Sequence, residues 1–173
     1  MKLSESKKLI EAAFTGRKNM EKWADLGCGD GAFTNSLAAF LGDGSMIYAI
    51  DQYQQDIQTI NDKVHIEFIL NDFEKEIPDL EDLDGILMAN SLHYIADKKK
   101  LITGLEKSLK TDGKLIIVEY DTQNANQWVP FPINFKKLKQ LFTELGFEKV
   151  EKIGERDSVY SHDKMYSALI KNG

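Results

Sequence analysis

Cysteine is nearly missing from this chain of 173 residues, and the single Cys28 leaves no intrachain disulfide to staple a fold. Its place inside a glycine turn marks it as a small packed side chain and not a reactive thiol. Proline occurs three times, and no low-complexity tract, internal repeat or linker interrupts the chain. No apolar run reaches bilayer-spanning length, so no membrane partner is expected. The N-terminal "MKLSESKKLIEAAF" mixes charges with apolar residues at helical spacing (Leu3, Leu9, Ile10, Phe14). It does not read as a secretory leader, and the expected compartment is the cytoplasm. Positive charge is in deficit, with a formal net charge of -6, and the lysine run at 98–100 reads as the exposed start of a helix. Nucleic acid is therefore not an expected partner. No metal site is assigned, and the oligomeric state is left open.

What remains is an apolar fraction of 42%, enough for one well-buried core and too little chain for two ordinary domains. Apolar, β-rich runs recur at "KWADL", "SMIYAI", "VHIEFIL", "LDGILMA" and "GKLIIVEY", mostly separated by stretches with helical spacing. That alternation is the rhythm of a parallel sheet. Asp97 is placed to cap a helix burying Leu101, Ile102, Leu105 and Leu109, which "TDG" at 111–113 would stop. A further helix runs from about Asn134 through Leu138, Leu141 and Phe142 to Gly146. After it, "FEKVEKI" and "KMYSALI" follow one another with only the polar "GERDSVYSHD" between them, which predicts a closing antiparallel pair.

The densest signal is "WADLGCGDGAF", where three glycines occupy alternate positions between a strand and the helix pattern "DGAFTNSLAAFLG". Such a turn exposes backbone N–H groups at a helix start, and Gly27, Gly29 and Gly31 let the chain turn sharply against a ligand. Spacing alone admits a dinucleotide, because Gly27-x-Gly29-x-x-Ala32 satisfies that fingerprint and Asp51 lies about 20 residues on. Charge argues otherwise: Asp25 precedes the turn, Asp30 sits within it and Asp72 follows the third strand, so a pyrophosphate would meet an unfavourable field. A ligand with an ammonium, a sulfonium and a single carboxylate would not. S-adenosylmethionine has that composition.

Here "ADLGCGDGAF" resembles the first motif of the class I S-adenosylmethionine-dependent methyltransferases, in the small single-domain type. The likeness continues in order and spacing through "YAIDQ", "ILNDFE", "GILMANSLHYI" and "LKTDGKLIIVEYD", covering nearly the whole chain. The resemblance implies a Rossmann-like, doubly wound α/β fold with a seven-stranded, mostly parallel sheet in the order 3-2-1-4-5-7-6, its last strand antiparallel, and helices on both faces. It implies one domain over 1–173: an N-terminal helical cap at 1–19, a cofactor-binding half at 20–121 and a substrate-side half at 122–173. Carried onto this sequence, Asp25, Gly27, Gly29 and Gly31 match the glycine motif. Asp51 would bind the ribose hydroxyls, with Gln52 where the family often has a bulky apolar residue. Asp72 and Phe73 would flank adenine, and Asn90 with the Gly27 region would border the methionine part. The product would be S-adenosylhomocysteine.

Methyl transfer to an O, N, S or C nucleophile is an in-line displacement at an activated carbon, so the protein's task is to position the acceptor and shield it. A hydroxyl acceptor would benefit from a general base, for which His93 in "NSLHY" is the candidate; a structural histidine is the competing reading. Tyr94 and Tyr120 fall at strand ends, and Trp128 and Phe131 lie in "QWVPFP", where a substrate wall would form. Tyr160, His162 and Tyr166 flank the last connection as a second place for acceptor contacts. The segment "ANSLHY" lacks the Asn/Asp-Pro-Pro-aromatic signature tied by the family resemblance to exocyclic amines and protein glutamine. A small-molecule acceptor is therefore expected. Two other readings stay open: a catalytically silent S-adenosylmethionine-binding subunit or regulator, and an NAD(P)-dependent oxidoreductase.

Overall fold

In the computed structural model, which describes residues 1–157 and 164–172, each of the five β-rich runs forms a strand. They are β1 (Lys22–Leu26), β2 (Met46–Asp51), β3 (His65–Leu70), β4 (Leu83–Ala89) and β5 (Leu109–Tyr120). The closing pair is β6 (Lys149–Asp157) and β7 (Lys164–Lys171). The seven strands make one sheet in the order β3-β2-β1-β4-β5-β7-β6, as expected. The first five are parallel, and β7 runs antiparallel between β5 and β6.

Strand β4 shows why this sheet forms. Successive side chains alternate between faces, so Ile86 and Met88 enter one core cluster while Leu87 and Ala89 enter the other. A central strand buried on both faces reads as a continuous apolar run, which is what "LDGILMA" is. On the first face, α3 (Lys98–Glu106) packs through Leu101, Ile102 and Leu105, and α4 (Phe135–Glu144) through Leu138 and Phe142. On the second, α1 (Leu3–Ile10) packs through Leu9 and Ile10, and α2 (Ala32–Ala38) through Leu37 and Ala38. Asp97 caps α3 by accepting from Lys100 N at 3.0 Å, and Asn134 caps α4 by accepting from Lys137 N at 3.0 Å. The fully buried Trp23 is the largest side chain of the second face, and it fits because position 85 is glycine. A Cβ there would stand 2.4 Å from the indole ring.

Three sequence expectations are corrected. Leu109 does not extend α3, which ends at Glu106; it begins β5 opposite Leu83. The next pair is Gly85 with Lys114, so the "TDG" segment is accommodated as an irregularity within the strand and not as its boundary. The "GERD" segment, read as connection, continues β6 to Asp157. An edge strand can carry charge on its open side, and here Glu155 bridges Lys152 at 3.0 Å and Lys164 at 2.6 Å. Between β2 and β3, residues 52–64, for which no element was expected, contain no helix. That crossover is instead fastened to α2 by Asn35, whose Nδ2 donates to Gln58 O at 2.9 Å and whose Oδ1 accepts from Ile60 N at 3.0 Å.

Candidate active site

The glycine turn leaves β1 at the C-terminal edge of the sheet and is pinned to its neighbours. Gly27 N and Cys28 N both donate to Ile50 O, at 2.8 and 3.0 Å, tying the turn to the end of β2. Gly29 N donates to Asp51 Oδ2 at 3.0 Å, while Asp51 Oδ1 accepts from Tyr53 N at 3.0 Å. Thus one carboxylate fixes the turn and the segment after β2 together. Each oxygen keeps a further lone pair for a ligand. Gly27 and Gly29 both have positive φ, at 81° and 51°, but for different reasons. A Cβ at Gly27 would come 2.5 Å from Ser91 Cβ, whereas one at Gly29 would meet nothing within 4 Å. Gly27 serves close packing, and Gly29 faces open space.

Beside the turn lies a cleft of about 510 Å³, walled by Gly27, Asp51, Gln52, Asp72, Phe73 and Asn90, with Tyr94 and Trp128 also on its wall. A smaller hollow of about 250 Å³ adjoins it, sharing Gly27 and Asn90 and adding Gly29 and Asp30. Volumes of this size suit a small organic ligand. Asp30, Asp51, Asp72 and Glu74 line the two spaces, and no lysine or arginine does. Asp72 is paired with Lys75 at 2.7 Å, a hydrogen bond that holds its carboxyl below the usual range. Asn90 sits in the left-handed region with φ 55°, and its buried Oδ1 has no partner among the described residues.

Not every expected residue reaches the wall. Asp25 lies beneath the turn, fully buried, where Thr34 Oγ1 donates to its Oδ2 at 2.6 Å and its Oδ1 has no partner among the described residues. Burial pushes this carboxyl up to about 7, with the Thr34 bond pulling down and the Asp51 charge pushing further up. Gly31 is the cap residue of α2, with φ 82°, and a Cβ there would strike Ile57. Cys28 is buried, and its thiol is pushed up by that burial, which keeps it unreactive.

At the acceptor end, Tyr94 and Trp128 are exposed on the cleft wall. Asn126 shapes the Trp128 loop, its Oδ1 accepting from Trp128 N at 2.8 Å and Val129 N at 2.9 Å. Phe131 and Tyr120 lie off the wall. Phe131 joins the loop to the end of β4, donating from N to His93 O at 2.9 Å and accepting from Lys98 Nζ at 2.8 Å. His93 is also off the wall, which corrects its expected placement as a base facing the methyl group. Its side chain is 3% exposed, its Nδ1 is 2.7 Å from Glu119 Oε2, and its backbone N donates to Glu119 Oε1 at 3.0 Å. The imidazole lies behind Tyr94, with ring centroids 4.3 Å apart. Tyr166 is wholly buried and donates to Ile133 O at 2.8 Å, so it is core, and Tyr160 and His162 fall outside the described residues.

A family model described as a methyltransferase domain matches residues 18–172. The chain belongs to the methyltransferase domain family. Its fold is shared by solved S-adenosylmethionine-dependent methyltransferases. Among solved structures, a SAM-dependent methyltransferase from Archaeoglobus fulgidus is similar at 16% identity and TM-score 0.69, over 98% of this chain and 92% of that one. Phosphoethanolamine N-methyltransferase 2 from Haemonchus contortus, in complex with S-adenosyl-L-methionine, is similar at 12% identity and TM-score 0.70, over 97% of this chain and 52% of that one. An arsenic(III) S-adenosylmethionine methyltransferase from Chlamydomonas reinhardtii is similar at 14% identity and TM-score 0.64, over 88% and 63%. The chain thus spans about half to three fifths of those two proteins. A search of curated proteins finds no match.

Within this methyltransferase domain, sequence reasoning missed Glu119, Ser91, Glu74, Ile95 and Gln127. Glu119 had a readable signal: it is a carboxylate inside the buried run "LIIVEY", and such groups are almost never buried without a partner. Ser91, whose Oγ donates to Leu26 O at 2.7 Å across 65 residues of sequence, packs against Gly27, and nothing local announces it.

Proposed function

We propose that this chain is an active methyltransferase that carries the methyl group of S-adenosylmethionine to a small-molecule acceptor held between Tyr94, Ile95 and Trp128. The observation that carries the reading is the make-up of the cleft, with carboxylates at the strand ends of β2 and β3 and exposed aromatic faces at Tyr94 and Trp128. When bound, S-adenosylmethionine supplies a methyl group already activated by its sulfonium. Asp51 would accept from the ribose hydroxyls, Asp72 and Phe73 with Gln52 would hold the adenine, and Gly27 with Asn90 would border the methionine part.

The acceptor is positioned by the exposed faces of Tyr94 and Trp128, and the loop that carries Trp128 is anchored through Phe131 to Lys98 and the end of β4. His93 acts by holding Tyr94 in place, with Glu119 fixing the imidazole, so positioning and exclusion of water carry the rate. A dinucleotide is disfavoured because four carboxylates and no lysine or arginine line the two spaces among the described residues, the one positive group there being the amino terminus at Met1.

A screen with S-adenosylmethionine labelled in its methyl group, run over fractionated metabolites, tests this. Label should enter small apolar or aromatic acceptors. Binding of the cofactor with no transfer to any fraction would leave the silent-subunit reading in its place.

A further inference from the structure

On the sheet edge opposite the cleft, Arg17, Lys18, Lys114, Lys171 and Glu21 converge on a second hollow of about 280 Å³, closed on one side by Phe14 and Phe40, whose rings stack at 5.1 Å. Four cations against one carboxylate is a local excess of positive charge on a chain whose formal net charge is -6. The carboxylate is committed elsewhere: Glu21 Oε2 accepts from Trp23 Nε1 at 2.7 Å and stands 3.9 Å from Lys114 Nζ, beyond hydrogen-bond reach. Arg17 and Lys171 enter no ion pair among the described residues.

Lys114 is the informative member. Its side chain is 16% exposed and its ammonium rests over the rings of Phe14 at 4.8 Å and Trp23 at 5.2 Å. Burial pushes this ammonium below its ordinary range, Glu21 opposes that and Lys171 adds to it. A partly buried cation whose one counter-ion stands 3.9 Å away is only partly compensated, and an anion entering the hollow would add to that compensation.

We propose that this hollow is a binding site for a small polyvalent anion of the phosphate or diphosphate type. At roughly 30 Å³ per water, the space holds on the order of nine waters, room for a phosphoryl group with partial hydration but not for a nucleic acid helix. Arg17 supplies a planar fork for two oxygens, and Lys114 and Lys171 supply point charges. The site is separate from the cofactor cleft, sharing no residue with it.

The test is an amide NMR titration of the full chain with inorganic phosphate and pyrophosphate, each matched by sodium chloride at equal ionic strength. Saturable shifts are expected at residues 13–19 and at Lys114 and Lys171, with cleft residues still. Arg17→Ala, on an exposed loop, and Lys171→Ala should each weaken pyrophosphate binding roughly tenfold while cofactor binding is unchanged. Shifts that chloride reproduces, or that survive both substitutions, would overturn the assignment. A duplex oligonucleotide that binds more tightly than pyrophosphate would overturn it too, by making the surface a polyanion track.

Discussion

Replacing Asp25 by Asn should stabilise the cofactor-free protein at neutral to alkaline pH. Asp25 is fully buried, one oxygen is satisfied by Thr34 and the other by nothing among the described residues, and burial raises its carboxyl from 3.8 to about 7. Because the folded form holds the proton more tightly than the unfolded chain, stability from this group is fully present below about pH 4. It is lost as pH rises towards 7, and is flat beyond. At 1.36 kcal/mol per unit, the rise is worth about 4 kcal/mol as an upper figure. Urea unfolding of both proteins from pH 4 to pH 8 isolates it, since Asp72, Glu5 and Glu155 shift the other way in both and cancel in the difference. The variant should gain on the parent from pH 4 to about pH 7 and hold that gain to pH 8. A difference that is constant with pH would show that Asp25 is ionised at no penalty, and would refute the argument from burial.

Gly29→Val should abolish cofactor binding with a smaller effect on the fold, because the side chain would project into the open space at a positive φ of 51°; normal affinity by calorimetry would remove the turn from the site. Gly85→Ala should destabilise by about 1–3 kcal/mol in urea unfolding, since the added Cβ would stand 2.4 Å from Trp23 and the indole has nowhere to move. Trp128→Ala should raise the acceptor KM and leave the cofactor Kd unchanged; a parallel loss of both would place Trp128 on the cofactor instead.

Much of this was legible because it is local. The glycine turn, the caps at Asp97 and Asn134, and the all-apolar β4 announce themselves within a few residues, and the closing antiparallel pair follows from two strand-like runs with no helix between them. The seat of Asp25 was also within reach. The period of two that puts Trp23 against α2's face puts Asp25 there as well, towards Thr34 and away from the ligand. The placement of His93 was not, because it depends on β5 lying beside β4 and presenting Glu119, 26 residues later. Leu109 misled for a similar reason: its apolar side chain fits the helical period of α3, but pairing with Leu83 across the sheet decided its conformation.

The most direct test of the central claim is calorimetric titration of the cofactor-free protein with S-adenosylhomocysteine, with NAD, and with S-adenosylhomocysteine against Asp51→Ala. One saturable site for S-adenosylhomocysteine is expected, with no heat from NAD. Affinity should fall at least about tenfold in the variant, because a charge-assisted hydrogen bond is worth roughly 1.5–3 kcal/mol. Saturable binding of NAD, or undiminished binding of S-adenosylhomocysteine by a correctly folded Asp51→Ala protein, would contradict it.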